Sequence, residues 1–524
     1  MGDTAKDTRQ RIVAFTETRD LVVKERVLRM LLFGSKETRT RAKAERLFGQ
    51  GIEAKRRDNY LRATARFEQA MNLYRMIPGT EEEEAACLKC LATILLALDK
   101  LSESESSFRH ALPLYQKIPG TKENQADCLY MLGITLREQG NLAESETLSR
   151  QSLALYQTIP GTEENQADCL YSLAITLYQQ GIPVDAEYIY RQSLVLYQAL
   201  PGTELGQADC LYNLAITLSD QNKSTEAESV RRQALTLYQT IPGTERDQAD
   251  CLHDLANTLD ELDKPAQAEP FFREALALYQ TIPSTQHEQA RCLYNLANTL
   301  HKLGKNAQAE PLYRQAITLY QTIPGTQQKQ ANCLNNLATC MLNLRKLSHA
   351  ESLYYQALTL YQKIPGTEYE QATSTYSLAT TLLSQGKLDP TEALYQDALK
   401  QAVSAALFND EYRYQLTSPT KRRAWITNRA QPSMNLALTI ATRLGEAALV
   451  AELIAKWRMV GSLATTPAAR NSEDPLLTLV PNSTPEPDET LTRTPGPNLV
   501  LPHPRTTPLY QHPTITNRPR AHYR

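Results

Sequence analysis

Eight prolines stand at one interval: Pro78, Pro119, Pro160, Pro201, Pro242, Pro283, Pro324 and Pro365 each follow the last by 41 residues, with no insertion. The tyrosine four residues before each, Tyr74 through Tyr361, keeps the step, as do the cysteines from Cys87 through Cys333. No other feature limits the fold as severely. A strict period between about 20 and 50 residues marks a repeat architecture, in which each unit buries its apolar face only against its neighbours. A catalytic loop occurs once, so a phrase that returns at every step is a structural joint.

The joint reads physically. Before it, "AESVRRQALTLYQTI" (Ala227 to Ile241) carries apolar or small residues at helical spacing. Pro242 cannot continue that helix, and Gly243 can take the left-handed conformation that closes it. Thr244 then stands where the next helix needs an N-cap, with Glu245 at the positive end of its dipole. At Thr80, Thr285 and Thr367 a glutamate three residues on predicts a capping box. The next helix runs through "QADCLHDLANTLDEL" to a polar turn around Gly or Asn-Lys. The repeating unit is therefore helix, short turn, helix, tight turn.

Taken together, these residues resemble the tetratricopeptide repeat. From Leu170 to Leu194, Leu170 matches the large residue of the first helix, Leu173 and Ala174 the large–small pair, and Leu177 the usual aromatic. Gly181 matches the turn, and Ala186, Tyr190 and Ser193 the small–aromatic–small set of the second helix. The standard repeat has about 34 residues; the longer step here implies two extra turns in the second helix. Long repeats of this kind are similar to those of kinesin light chains and of bacterial proteins that pair such repeats with a caspase-like "CHAT" peptidase. The match covers residues 41–405 as nine repeats.

With a net charge of −2 and both signs mixed along the chain, no field points to nucleic acid or membrane. No run approaches 18 apolar residues, the start "MGDTAKDTRQ" lacks a signal-peptide core, and Lys6 stands where myristoylation needs Ser or Thr. A cytoplasmic location is the expectation. Residues 1–40 contain "RDLVVKERVLRMLLFG", read as a capping helix over the first repeat. Residues 406–464 read as two further helices; they are similar to the segment that joins repeats to peptidase in CHAT-linked proteins, and a plain C-terminal cap fits equally. Residues 465–524 hold twelve of the chain's 28 prolines and no periodic segment, which predicts a disordered Pro-rich tail. That tail lacks PxxP spacing and most of the aromatic interleaving of a nucleic-acid binder.

Chemistry is hard to find. Seven of the nine cysteines recur at the repeat step, each beside a first-helix leucine. Neighbouring copies at a helix-packing distance of about 8–10 Å are too far apart for disulfides or a shared metal. They read as small buried side chains. Cys87 and Cys90 lie within one helix without a second pair, and the eight histidines form no HExxH or comparable cluster. No phosphate loop or nucleophile elbow exists, and the last cysteine, Cys340, lies inside a repeat. No enzyme, cofactor or metal is expected.

Function then falls to surface. The resemblance implies that the fifth, ninth and twelfth positions of the first helices line a concave groove, and that spacing does share one helical face. The fifth gives Lys89, Tyr130, Tyr171, Tyr212, His253, Tyr294, Asn335 and Tyr376; the ninth gives Ile134, Ile175, Ile216, Asn257, Asn298 and threonines; the twelfth adds Arg137, Tyr178, Asp260 and His301. Tyrosines beside isoleucines form an apolar zone, and His253, Asn257, Tyr294, Asn298 and His301 a zone that could bind a peptide backbone. Tyrosines copied by duplication would repeat in the same way. With Lys89 the one lysine at the fifth and ninth positions, a chaperone-type carboxylate clamp is not expected.

The reading is an all-α, right-handed α-solenoid of nine helix pairs. Its expected role is a non-catalytic scaffold for a protein or peptide ligand. The alternative is the sensing arm of a caspase-like protease system acting on a separately encoded peptidase. A kinesin-like motor adapter is disfavoured, because no heptad coiled coil precedes the repeats.

Overall fold

The computed structural model describes residues 36–388 and 392–462. Every regular element among them is helical, and the helices fall into antiparallel pairs at the expected step. The chain divides into two compact units, the first ending at Ile241 and the second beginning at Pro242.

The first unit holds five pairs. These are α1 (Lys36–Arg56) with α2 (Tyr60–Tyr74), α3 (Glu81–Ala97) with α4 (Leu101–Gln116), and α5 (Lys122–Glu138) with α6 (Leu142–Tyr156). Then come α7 (Glu163–Gln179) with α8 (Pro183–Gln198), and α9 (Glu204–Asp220) with α10 (Ser224–Thr240). The second unit holds α11 (Glu245–Glu261) with α12 (Pro265–Thr281), and α13 (Gln286–Lys302) with α14 (Asn306–Thr322). It continues with α15 (Gln327–Asn343) and α16 (Leu347–Tyr361), then α17 (Glu368–Leu388) and α18 (Glu392–Tyr412). Within each unit a first helix packs on its own partner and on the second helix of the preceding pair. The all-α tandem-repeat reading holds in both units.

The recurring phrase forms the joint in a way its residues only half announce. The glycines take the left-handed conformation (φ 82° at Gly243), and Ser284 takes it at φ 61° where glycine is absent. Threonine does stand at the N-cap, but its side chain caps no N–H of the following helix at Thr80, Thr244 or Thr285. At most joints the hydroxyl turns backward and closes the helix just ended. Thr80 Oγ1 donates to the carbonyls of Tyr74 (2.6 Å) and Ile77 (2.8 Å), and Thr285 Oγ1 to those of Tyr279 (2.5 Å) and Ile282 (2.9 Å). The glutamine four residues after the threonine adds a second donor, as Gln289 Nε2 reaches the Tyr279 carbonyl at 3.0 Å. Carbonyls at a helix end lack intrahelical donors, and these joints are buried, so the hydroxyl goes where water cannot. The expected capping boxes at Thr80 and Thr285 do not form. Glu83 pairs with Arg41 instead, and Glu288 with Arg246 at 2.8 Å.

Small and aromatic residues build the core. On α8, Ala186, Tyr190, Ser193 and Tyr197 are buried at helical spacing. They pack against α7, whose Leu170, Leu173, Ala174 and Leu177 are buried. All nine cysteines are free and buried. Those at the repeat step lie where a first helix crosses the preceding second helix: the Cys210 thiol donates to the Tyr190 carbonyl, and Cys292 to that of Phe272, both at 3.2 Å. Side chains larger than a thiol would push these helices apart.

After α18 the step ends. Helix α19 (Pro419–Trp425), a π-helical turn over Ile426–Ala430, α20 (Gln431–Leu444) and α21 (Ala447–Ser462) follow. Trp425 is the plug, with its ring 4.6 Å from that of Tyr412 and its indole N–H donating to the Asn409 carbonyl at 2.8 Å. Of the capping region expected over residues 1–40, the part from Lys36 onward belongs to α1, and the rest lies outside the described residues. So does the tail expected over residues 465–524.

Candidate functional site

The first helices are sandwiched so tightly that few of their side chains reach water. On α7 the half-buried residues Glu164, Asp168, Tyr171 and Tyr178 follow one another every third, fourth or seventh residue, tracing one narrow stripe. This is the face that the fifth, ninth and twelfth positions were expected to occupy.

The structure divides the fourteen expected groove residues. Tyr130, Tyr171, Tyr178, Ile216, Asn257 and Tyr376 are half-buried and open to the stripe. Ile134, Ile175, Tyr212, His253, Tyr294, Asn298, His301 and Asn335 are buried. The physical reason is the close approach of neighbouring first helices, together with an aromatic on the second helices α8, α12 and α14. Tyr171 stands edge-on to Tyr190 with centroids 6.0 Å apart, His253 to Phe272 at 5.5 Å, and Tyr294 to Tyr313 at 6.1 Å.

In the second unit the polar zone is occupied by its own members. Asn295 Nδ2 donates to His253 Nε2 (3.1 Å) and to Asn257 Oδ1 (2.9 Å). Asn336 Nδ2 donates to the Tyr294 hydroxyl and to Asn298 Oδ1, both at 3.0 Å, and Asn298 Oδ1 also accepts from the Tyr313 hydroxyl at 2.6 Å. His301 Nδ1 faces Asn306 Oδ1 at 2.6 Å and the Cys340 thiol at 3.3 Å. Ser374 Oγ donates to Asn335 Oδ1 at 2.8 Å. These groups read from sequence as peptide-backbone binders, and the structure spends them on fastening one first helix to the next. Lys89 is used likewise, reaching Asn124 Oδ1 at 2.8 Å and Asp127 Oδ2 at 2.9 Å.

The residues that reasoning from sequence missed are those fasteners. Asn213, Asn295 and Asn336 each follow the fifth position directly, and Asn213 Nδ2 donates to the Tyr171 hydroxyl at 2.7 Å. Their recurrence at the repeat step was the available signal. A second fastener joins the two helices of one repeat. The tyrosine ending the second helix donates to the second position of the first: Tyr197 to Asp168 (2.5 Å), Tyr238 to Asp209 (2.8 Å), Tyr279 to Asp250 (2.5 Å) and Tyr361 to Asn332 (2.7 Å).

Burial sets the electrostatics. It pushes the thiols of Cys128, Cys169, Cys210, Cys292 and Cys340 up to about 12, which keeps them protonated and poor nucleophiles at neutral pH. Burial also lowers the pKa of His253, with the Arg291 charge adding to the effect and Asp254 opposing it. His301 is lowered by burial against the raising bond to Asn306. Among the described residues no group of three metal-ligating side chains converges, and no helix is long and apolar enough to cross a membrane.

The sequence pattern matches that of the tetratricopeptide repeat in seven overlapping stretches, running from residues 83–158 to residues 329–402. No curated protein matches the sequence. Among solved structures the fold is similar to the apo form of RapI, which is 12% identical, with 68% of this chain and 97% of that one covered at a TM-score of 0.50. It is also similar to the apo form of the quorum sensor NprR from B. thuringiensis, at 15% identity, 68% and 98% coverage and a TM-score of 0.44. BtubC (BKLC) from P. vanneervenii is 19% identical over 43% of this chain and 91% of its own, with a TM-score of 0.38.

Proposed function

Because the chain belongs to the tetratricopeptide repeat family, we propose that it is a non-catalytic scaffold holding a protein or peptide segment along the open stripe of its first helices. The observation that carries this reading is selective exposure within a nearly invariant repeat. Framework positions are buried copy after copy, while Tyr130, Tyr171, Tyr178 and Ile216 keep part of an aromatic or aliphatic side chain in water. Half-buried tyrosine offers large contact area, and its two side-chain torsions are already restrained, so binding loses little entropy. The contact is expected to be centred on Tyr130, Tyr171, Tyr178 and Ile216 in the first unit, with Asn257 and Tyr376 serving the second.

The test follows from the burial pattern. Truncating Ile175 or Tyr212 would open a core cavity at a cost of about 2–5 kcal/mol and confuse binding with folding. The triple variant Tyr130→Ala, Tyr178→Ala, Ile216→Ala removes stripe surface instead. Used as bait beside the wild type, and matched for far-UV circular dichroism, it is expected to lose the partners that the wild type retains. Identical recovery of every partner by both baits would end the assignment of the stripe.

A further inference from the structure

At particular positions in the N-terminal turns of the first helices, acidic residues of the first unit give way to basic ones in the second. In the first unit, the position two residues into α5 and α7 is Glu123 and Glu164, and the second position of the repeat is Asp127, Asp168 and Asp209. In the second unit the equivalents on α11 and α13 are Arg246 and His287; Arg291 replaces the aspartate on α13, and Lys329 lies in the first turn of α15. Asp250 keeps the older pattern, and its Oδ1 accepts from the Tyr279 hydroxyl. In copies this similar, a reversal of sign confined to neighbouring helices is a local departure from the frame.

The geometry of the departure is specific. Lys329 Nζ lies 2.6 Å from His287 Nε2, so the ammonium is hydrogen-bonded to a base rather than to a carboxylate. The ring of Tyr320, whose counterparts donate to an aspartate or asparagine, lies edge-on to His287 at 6.2 Å and 5.9 Å from Lys329 Nζ. Here Arg291 occupies the acceptor's place in the sequence. Of the charged groups on the packed elements, Glu288 on α13 pairs with Arg246 on α11 at 2.8 Å. Burial lowers the pKa of His287, the Lys329 and Arg291 charges add to the effect, and the neighbouring Glu288 opposes it. Lys329 is lowered by burial and by Arg291. Two half-buried bases share one hydrogen bond while a guanidinium bears on both, so three basic side chains cluster beside the single carboxylate of Glu288.

We infer that His287, Lys329 and Arg291 form an anion-accepting subsite that takes a carboxylate side chain from an acidic stretch of the bound segment. The inference rests on the scaffold reading above and adds the polarity of the ligand: acidic where it crosses α13 and α15. A carboxylate placed between Lys329 and His287 would favour uptake of a proton from solvent by the imidazole, accept from both side chains and turn a repulsive pair into a charge-assisted one. The subsite lies off the fifth and ninth positions, which supply no cation in this unit.

The test uses the full chain and a fluorescein-labelled hexaglutamate peptide, with anisotropy read at low and at physiological ionic strength. Hexaglutamate is expected to bind, and the double variant Lys329→Gln, His287→Asn to weaken it by at least about tenfold. Lys329→Arg should retain binding. Lys305→Gln, which removes an outer cation paired with Glu269, should leave it within about twofold. Saturating peptide should also raise the titration midpoint of the His287 ring, assigned by its loss in His287→Asn, by about one pH unit or more. Absence of binding, or equal binding by the double variant with native circular dichroism, overturns the inference. Inorganic phosphate binding at the cluster in preference to the peptide overturns it too, because the subsite would then be built for phosphate. If the stripe variant loses partners while the double variant keeps them all, the scaffold reading survives and this inference falls. Partners kept by the stripe variant but lost by the double variant would remove the stripe and leave the anion subsite standing.

Discussion

At the scale of the residue, the threonine of the joint decides more than its place at an N-cap suggests. Its hydroxyl can point forward to a free N–H or backward to a free carbonyl, and the two choices use identical chemistry. The structure takes the second: Thr162 Oγ1 donates to the carbonyls of Tyr156 and Ile159, both at 2.8 Å. Replacing Thr162 by valine keeps shape and removes the donor from a buried site. The expected loss is about 1–3 kcal/mol in urea unfolding, with Thr162→Ser close to wild type. An unchanged midpoint for Thr162→Val would mean that the joint holds by shape alone. The same ambiguity explains why the capping boxes at Thr80 and Thr285 could be misread. Glu83 and Glu288 sit at the correct spacing for them, and only the presence of Arg41 and Arg246 beside them shows another destination.

At the scale of the element, what a first helix shows to solvent depends on how closely its neighbours approach, and no single helix encodes that spacing. The 41-residue step, the helix pairs and the proline–glycine joints were legible because each rests on local steric rules repeated many times. The burial of Ile175, Tyr212 and Asn298 was not, since the fifth and ninth positions lie on the correct face and are nonetheless covered from the next helix. The amides Asn213, Asn295 and Asn336 do the fastening. Histidine gives this packing a measurable signature. His253, His287 and His301 all have pKa values lowered chiefly by burial, while the unfolded imidazole titrates near about 6.5. Below that pH the unfolded chain takes up protons that the folded chain refuses. Stability from these sites is therefore complete above about 6.5 and declines as pH falls toward the folded values. Urea midpoints should drop between pH 7.5 and 5.5, and His253→Gln with His301→Gln should flatten the slope. A slope unchanged by the double substitution would place its origin in His287 or the carboxylates.

At the scale of the whole molecule, stability in such an architecture is a sum over neighbouring repeats, so that part of the chain can open while the remainder holds. The buried thiols turn this into something countable. Each repeat from Cys87 to Cys333 carries one sulfur at the same crossing, with Cys90 and Cys340 as additions. Ellman's reagent is expected to find essentially none of the nine in native buffer and to find them in groups as denaturant rises. Rapid labelling of several thiols under native conditions would contradict the packing described here. The sulfur ladder works as a built-in odometer: under pulling, heat or oxidant stress, the number of modified cysteines, mapped by mass spectrometry, reads out how many rungs have come undone and from which end.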